Sequence, residues 1–332
     1  MHQLAVPQAE VQSPRPRALS VNDLYEIVAV SVLAPASWLV PHRLWDFVSV
    51  ALSSGIALVR PDVSLRRMRR LDRCLAGRPR RESSFALRVR IMAGYMEERL
   101  QILREYRPGG WRGQIEMSGV QNLECARDRG RGVVLWVCPF TYADLIVKTA
   151  LARAGLEVSH LSACSRGFSP NACHPWTPTR FGKRYLSRLR TAVEDRYLHE
   201  RVVMPRDGSL GYIRRLERLL KTRGVLSIRA GKVGHRTMDL PLFGGTVTLA
   251  TGAPSLAIAT GAALIPVFVA RRGPGRFEVI FEPPLEPPAA ATVADAVPDI
   301  MRRYVARLEE HVLRSPHMWS GWYYLRFPER DP

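Results

Sequence analysis

Cysteine is scarce and unpatterned in this chain of 332 residues: Cys74, Cys125, Cys138, Cys164 and Cys173, an odd number at irregular spacing. Cys164 precedes Cys173-His174, but no CxxC or HxxxH spacing accompanies them, so neither a disulfide framework nor a structural zinc site is expected. No secretory signal is evident, and the thiols are expected to be reduced, in the cytoplasm. No apolar run reaches the roughly 20 residues that a membrane-crossing helix needs. Internal repeats and low-complexity blocks are missing, which removes solenoids and tails from consideration. Acidic side chains are also in short supply: Asp and Glu number 30 against 49 Lys and Arg, a formal net charge of +19. Such an excess calls for an anionic partner. Aromatic platforms, finger spacings and a reading helix are lacking, so nucleic acid is not the expected one.

What is present is globular in composition, with 46% hydrophobic and 24% charged residues. Residues 1–20 are polar, contain Pro7, Pro14 and Pro16, and read as a loose tail. Residues 21–107 form a helical region of two parts. The first holds two apolar runs, about 27–40 and 47–59, interrupted by Pro35 and Pro41 and separated by His42, Arg43 and Asp46. The second is rich in arginine from Arg60 to Arg107. Apolar runs leading into a basic segment predict helices lying on a membrane, with Trp38 and Trp45 at headgroup depth and the arginines on anionic lipid. The alternatives are that these helices pack on the protein's own core, or that one short segment is embedded in the membrane as a single spanning helix. An amphipathic helix is expected from Ser83 to Tyr106, ended by "PGGW".

From residue 108 onward the pattern changes. Strand-like runs (QIEMSG, GVVLWV, EVSHLSA, RVVM, GVLSIRA, LIPVFVARR, FEVIFEP) alternate with helical ones, and a last helix spans roughly Val293 to Arg314. The segment "GKVGHRTMDLPLFGG" reads as a loop. Alternation of this kind predicts an α/β domain over 108–332, with a mixed, largely parallel sheet flanked by helices.

Five features follow one another in order. "SGVQNLECARDRGRGVVLWV" leads into "CPFTYAD". "VVMPRDGSLGYIRRLERLLKTRGVLSI" joins a strand, an Arg-Asp turn and a helix. "LPLFGG", "TGAPSLAIATGAALIPVFVARR" and "RSPHMWSGWYYLRF" complete the set. As an ordered set they resemble the bacterial lipid A biosynthesis acyltransferases, the late lauroyl and myristoyl transferases, within the lysophospholipid acyltransferase superfamily. The resemblance implies a glycerolipid acyltransferase-like fold on the cytoplasmic face of the inner membrane. It further implies acyl transfer from acyl carrier protein or coenzyme A to a membrane lipid or glycolipid, with no cofactor beyond that donor. The basic surface would hold anionic lipid and dock the acidic carrier.

In that family a His, four intervening residues and an acid form the catalytic pair. Here Asp144 falls at the acid position and Pro139 at the place of the base. Proline has no titratable group. A second departure follows strand "VLSI": the resemblance implies an acidic block there, but the chain reads "RAGKVG", with Gly231 and Lys232 where the family usually has Asp and Gln or His. Three readings stay open: a base supplied by His235 or His160, transfer without a strong base, or a catalytically impaired homologue acting as a lipid-binding or accessory protein. Arg206, after a strand and beside the helix-capping Asp207, is read as a phosphate clamp or a plain surface arginine. Phe243-Gly244-Gly245 is a turn whose glycines permit close backbone approach to a ligand, or an ordinary loop. Trp319 and Trp322 sit at the membrane interface or close the core.

Overall fold

The computed structural model describes residues 18–59, 61–78, 82–111, 113–162, 179–205, 209–232, 234–287 and 293–327. Helix α1 (Val21–Val28) starts at a reciprocal cap. The Ser20 N–H and hydroxyl both donate to Asp23 Oδ2 at 2.8 Å, and the Asp23 N–H donates to Ser20 Oγ at 3.2 Å. A π-helical turn (Ala29–Leu33) carries it into α2 (Ala34–Leu39). The chain breaks before Pro41 and resumes as α3 (His42–Val59), bent by 120° from the preceding helix. Among the described residues no single helix is long and apolar enough to cross a membrane.

The basic segment forms α4 (Pro61–Cys74) and leads to α5 (Ser84–Glu105), whose N-cap Ser83 accepts the Ala86 N–H at 3.2 Å. Several of its arginines do internal work. Arg70 donates to the carbonyls of Trp322 and Leu325, and the guanidinium groups of Arg67 and Arg73 lie 5.0 and 4.4 Å from the ring centres of Tyr323 and Phe327. Arg78 pairs with Glu309. Planar, weakly hydrated cations suit such stacking, so part of the positive charge fastens the C-terminal segment to the body.

The remaining elements alternate as the sequence predicts. They are β1 (Gln114–Ser118), α6 (Val120–Asp128), β2 (Val133–Val137), α7 (Ala143–Arg153), β3 (Val158–Ser162), α8 (Ser187–Asp195), β4 (Glu200–Val203), α9 (Gly211–Lys221), β5 (Val225–Arg229), β6 (Thr237–Leu242), β7 (Gly245–Ala250), α10 (Gly252–Thr260), β8 (Ala263–Gly273), β9 (Arg276–Phe281) and α11 (Val293–Arg314). Seven strands form one sheet in the order β1-β9-β8-β2-β5-β3-β4, with every pairing parallel except β8 with β9. This is the mixed, largely parallel α/β sheet expected. Its central strand β2 is buried at all five positions, as a strand covered on both faces must be. One continuous core joins the sheet to Leu71 and Cys74 of α4 and to Leu87 and Ile91 of α5.

The segment read as a loop is corrected by the structure. β6 and β7 pair antiparallel, closed by Phe243 (φ +52°) and Gly244 (φ +72°). Pro241 concealed the strand, since proline interrupts a ladder unless it lies at an edge. The Phe243 ring packs at 4.7 and 5.8 Å from the rings of Trp322 and Trp319, both of which are buried. Those tryptophans therefore close the core rather than face a membrane. At Gly245 a Cβ would lie 2.9 Å from the Arg326 carbonyl, because Thr246 and Arg326 exchange backbone hydrogen bonds at 2.7 and 2.9 Å beside it.

Candidate active site

The C-terminal ends of parallel strands are where α/β proteins leave backbone groups and side chains free for ligands. Here β2 and β5 end side by side, Val137 opposite Arg229. Beyond β2 the chain turns through Cys138, Pro139, Phe140 and Thr141, stapled to the C-terminal segment. The Thr141 N–H donates to the Met318 carbonyl at 2.7 Å, and Ser320 Oγ donates to the Pro139 carbonyl at 3.4 Å. The Cys138 thiol is fully buried, which pushes its pKa far up and removes it as a thiolate nucleophile.

Tyr142 precedes α7 in a left-handed conformation, φ +72°, rare and costly for an aromatic residue. Two adjacent carboxylates of α5 hold it there. Glu98 Oε1 accepts the Tyr142 N–H at 2.7 Å, and Glu97 Oε2 accepts its hydroxyl at 2.7 Å. The ring packs 4.9 Å from that of Phe277. This clamp fixes the entry of α7 and with it the direction of Asp144, one turn into the corner.

Asp144 is ion-paired with Arg229, their side chains 24% and 51% exposed. Burial alone would raise the Asp144 pKa. The charges of Arg229 and Lys148 outweigh it and hold the carboxyl below its usual range, so Asp144 is ionised. Glu98 is driven the opposite way. Burial first, and then the charge of Asp144, push its carboxyl up to about 7, against the opposing pull of the Tyr142 N–H, Arg229 and Arg99. Protonation of Glu98 therefore favours the folded state. That contribution is full below its ordinary value of 4.5 and is lost as the pH rises through about 7. Glu98→Gln, which retains an oxygen for the Tyr142 N–H, is expected to leave the melting temperature nearly unchanged at pH 4.5 and to raise it by a few degrees at pH 8, measured by calorimetry.

The imidazoles near this centre have different surroundings. His160, on β3, is buried with Nδ1 3.4 Å from Ser227 Oγ and Nε2 3.7 Å from Glu194 Oε1. Glu194 is itself bound by Lys148 and by Arg201 at 2.6 Å. Burial, then the charge of Lys148, keeps His160 well below its ordinary range and hence neutral. His235 is exposed and lines a cavity of about 570 Å³ that Arg229 also lines. Its walls are apolar, formed by Trp136, Leu161, Ile213, Leu216, Ile228 and Leu256 among others, and its size is that of a small-molecule pocket. Arg206 and Asp207 lie outside the described residues, as do Cys164 and Cys173-His174. Phe243, Gly244 and Gly245 form the hairpin turn already described, with Phe243 in the core. The structure thus brings Asp144, Arg229 and the cavity together. Glu98, which holds the Tyr142 N–H at the entry of α7, escaped the sequence reading.

With that geometry in place, comparison with known proteins is informative. Residues 180–327, a little under half of the chain, match the model of the bacterial lipid A biosynthesis acyltransferase family. The resemblance to this family holds. The matched span runs from the residues before α8 through the β6–β7 hairpin and α10 to the tryptophan-rich C-terminal segment, and it begins after the Pro139–Asp144 corner. Among solved structures, the 1-acyl-sn-glycerophosphate (LPA) acyltransferase PlsC from Thermotoga maritima is similar at 12% identity, covering 80% of this chain and 97% of that one with a TM-score of 0.36. No curated protein matches the chain.

Proposed function

We propose that the protein moves a fatty acyl chain from a thioester, on acyl carrier protein or coenzyme A, to a hydroxyl of a membrane lipid or glycolipid. The observation that carries this reading is the apolar cavity of about 570 Å³ with Arg229 among its lining residues and Asp144 bound to that arginine. An acyl chain needs apolar walls, while a thioester and a lipid headgroup need a charged threshold, and the cavity joins the two. The lipid A acyltransferase match of the C-terminal half supports the reaction class.

The N-terminal helices support the location. Leu39, Phe47, Leu58 and Val59 are 70–86% exposed on the bent pair Glu26–Leu39 and His42–Val59. Side chains of this kind left in water mark an interaction surface, and an amphipathic pair followed by cationic residues fits the face of an anionic membrane. In this arrangement the lipid acceptor reaches the site from the bilayer. Arg206 remains a candidate for its phosphate.

The test is incubation of the purified protein with labelled acyl carrier protein or acyl coenzyme A and extracted membrane lipids. Labelled lipid product is the expected result. Absence of product with either donor, while lipid binding persists, would replace this reading by that of a lipid-binding accessory protein. Ser255 lies on α10 and lines the cavity. Ser255→Phe is expected to shift donor preference toward shorter chains, by about tenfold or more against the longest accepted chain, in competition assays with mixed donors.

A further inference from the structure

Removal of the acceptor's hydroxyl proton needs a base that reaches the cavity, and Pro139 supplies none. The described residues include His42, His160, His199, His235, His311 and His317. His42 is held by Arg104, His199 lies beside Glu157, and His311 is paired with Glu282. His160 is enclosed between Ser227 and Glu194. His317, beside Arg90, lines a separate pocket of about 100 Å³, too small to take an acyl chain. Among the described residues only His235 brings an imidazole to the cavity of about 570 Å³.

The segment that carries His235 is fastened to hold it there. β5 ends at Arg229, and the backbone beyond it is tied at three points. The Ala230 N–H donates to the Val137 carbonyl at 2.7 Å, the Ala250 N–H to the Gly231 carbonyl at 2.7 Å, and the Thr251 N–H to the Arg236 carbonyl at 3.0 Å. Gly234 lies so close to β7 that a Cβ there would stand 2.8 Å from that of Ala250. Arg229 and His235 thereby line one cavity, joined by a segment tied to the end of β7 and the start of α10. The imidazole is exposed, and among the described residues neither of its nitrogens has a hydrogen-bond or ion-pair partner. The imidazoles set aside above are all committed to neighbours.

We propose that His235 is the general base of the acyl transfer, in place of the imidazole that position 139 lacks, with Arg229 facing the oxyanion and Asp144 holding that arginine. This inference rests on the acyltransferase reading above. The unprotonated ring nitrogen of His235 takes the acceptor O–H proton as the oxygen bonds to the thioester carbonyl carbon. The oxyanion of the intermediate forms against Arg229, which lines the same cavity and pairs with Asp144. The C–S bond then breaks, and the departing thiolate recovers the proton from the imidazolium. Protons and electron pairs balance with no further reactant. The carboxylate thus stays at the entry of α7 and acts through Arg229, while the imidazole comes from the segment after β5. The other titratable or charged side chains lining the cavity are Tyr212 and Glu217 of α9 and Arg236. Glu217, the carboxylate among them, is the rival base.

The experiment is steady-state kinetics of the full-length wild-type protein, His235→Gln, His235→Gly and Glu217→Gln, with acyl coenzyme A or acyl carrier protein as donor and extracted membrane lipid as acceptor. His235 is exposed, so its variants are expected to melt with the wild type. His235→Gln is expected to lower kcat by about 10²-fold or more with little change in the donor KM. Added imidazole is expected to restore part of the His235→Gly rate in proportion to its neutral fraction as the pH is varied. Loss of a merely structural side chain would give no such response. A folded His235→Gln protein that keeps the wild-type kcat, a loss confined to KM, or a His235→Gly protein unresponsive to imidazole would each overturn the assignment and leave the acyltransferase reading intact. So would abolition of turnover by Glu217→Gln with His235→Gln still active. A wild-type protein that transfers no acyl chain would overturn both.

Discussion

Asp144→Asn is expected to lower kcat/KM for acyl transfer by about 10²- to 10³-fold while leaving the fold in place. Asn keeps the shape and first-turn position of the side chain at the start of α7. It removes the charge that pairs with Arg229, and that guanidinium, 51% exposed, turns to water rather than becoming a buried orphan. The kinetic signature separates two roles. If Asp144 only steadied Arg229, the rate would fall without a change in pH dependence. Because its charge raises Glu98, its loss is expected to lower the pH at which that carboxyl titrates as well. Steady-state kinetics between pH 5 and 9 with thermal melts of the same samples make the measurement. An unchanged kcat/KM would remove Asp144 from the site.

Most of the framework is legible in the chain because its strands are short apolar runs bounded by turn residues and its helices are amphipathic. β2 and β5 bury nearly every position and β8 a run of six, and such runs are unambiguous once helices alternate with them. The β6–β7 hairpin was hidden by Pro241 and by a Phe-Gly turn, where Asn-Gly or Asp-Gly would have announced it. Within the site, Asp144 could be found by its place after a strand and at a helix start. Glu98 could not be found from "YMEERLQ", which reads as a solvated charge cluster. One signal existed: Ile91, Tyr95, Glu98 and Ile102 recur at helical spacing, and Ile91 and Ile102 are buried with Tyr95 packed against the core. A carboxylate on a core-facing stripe is the anomaly to follow. The arginines show the converse. Read as one cationic surface, they divide between exposed side chains and those of α4 that grip Tyr323, Phe327 and the Trp322 carbonyl, a division that depends on contacts far apart in sequence.

Phe47→Glu combined with Leu58→Glu is expected to reduce binding to vesicles containing anionic lipid by about 10²-fold or more, with the melting temperature little changed. Each wild-type side chain is about 70% exposed on α3, so neither supports the core. If they enter the lipid, each contributes about 1.5–3 kcal/mol by burial, and a carboxylate at that depth adds a further penalty. The same argument fixes the salt dependence. A protein held only by its net charge of +19 would be released as salt screens the surface. With apolar side chains inserted and several α4 arginines engaged on the C-terminal segment, half-molar salt is expected to weaken binding without abolishing it. Sedimentation with liposomes at two salt concentrations, run beside the lipid acyl-transfer assay, connects location to chemistry. The double variant is expected to lose transfer to vesicle-borne lipid and to retain it toward a detergent-dispersed acceptor. Equal pelleting of variant and wild type would mean that the exposed face of α3 serves some other contact.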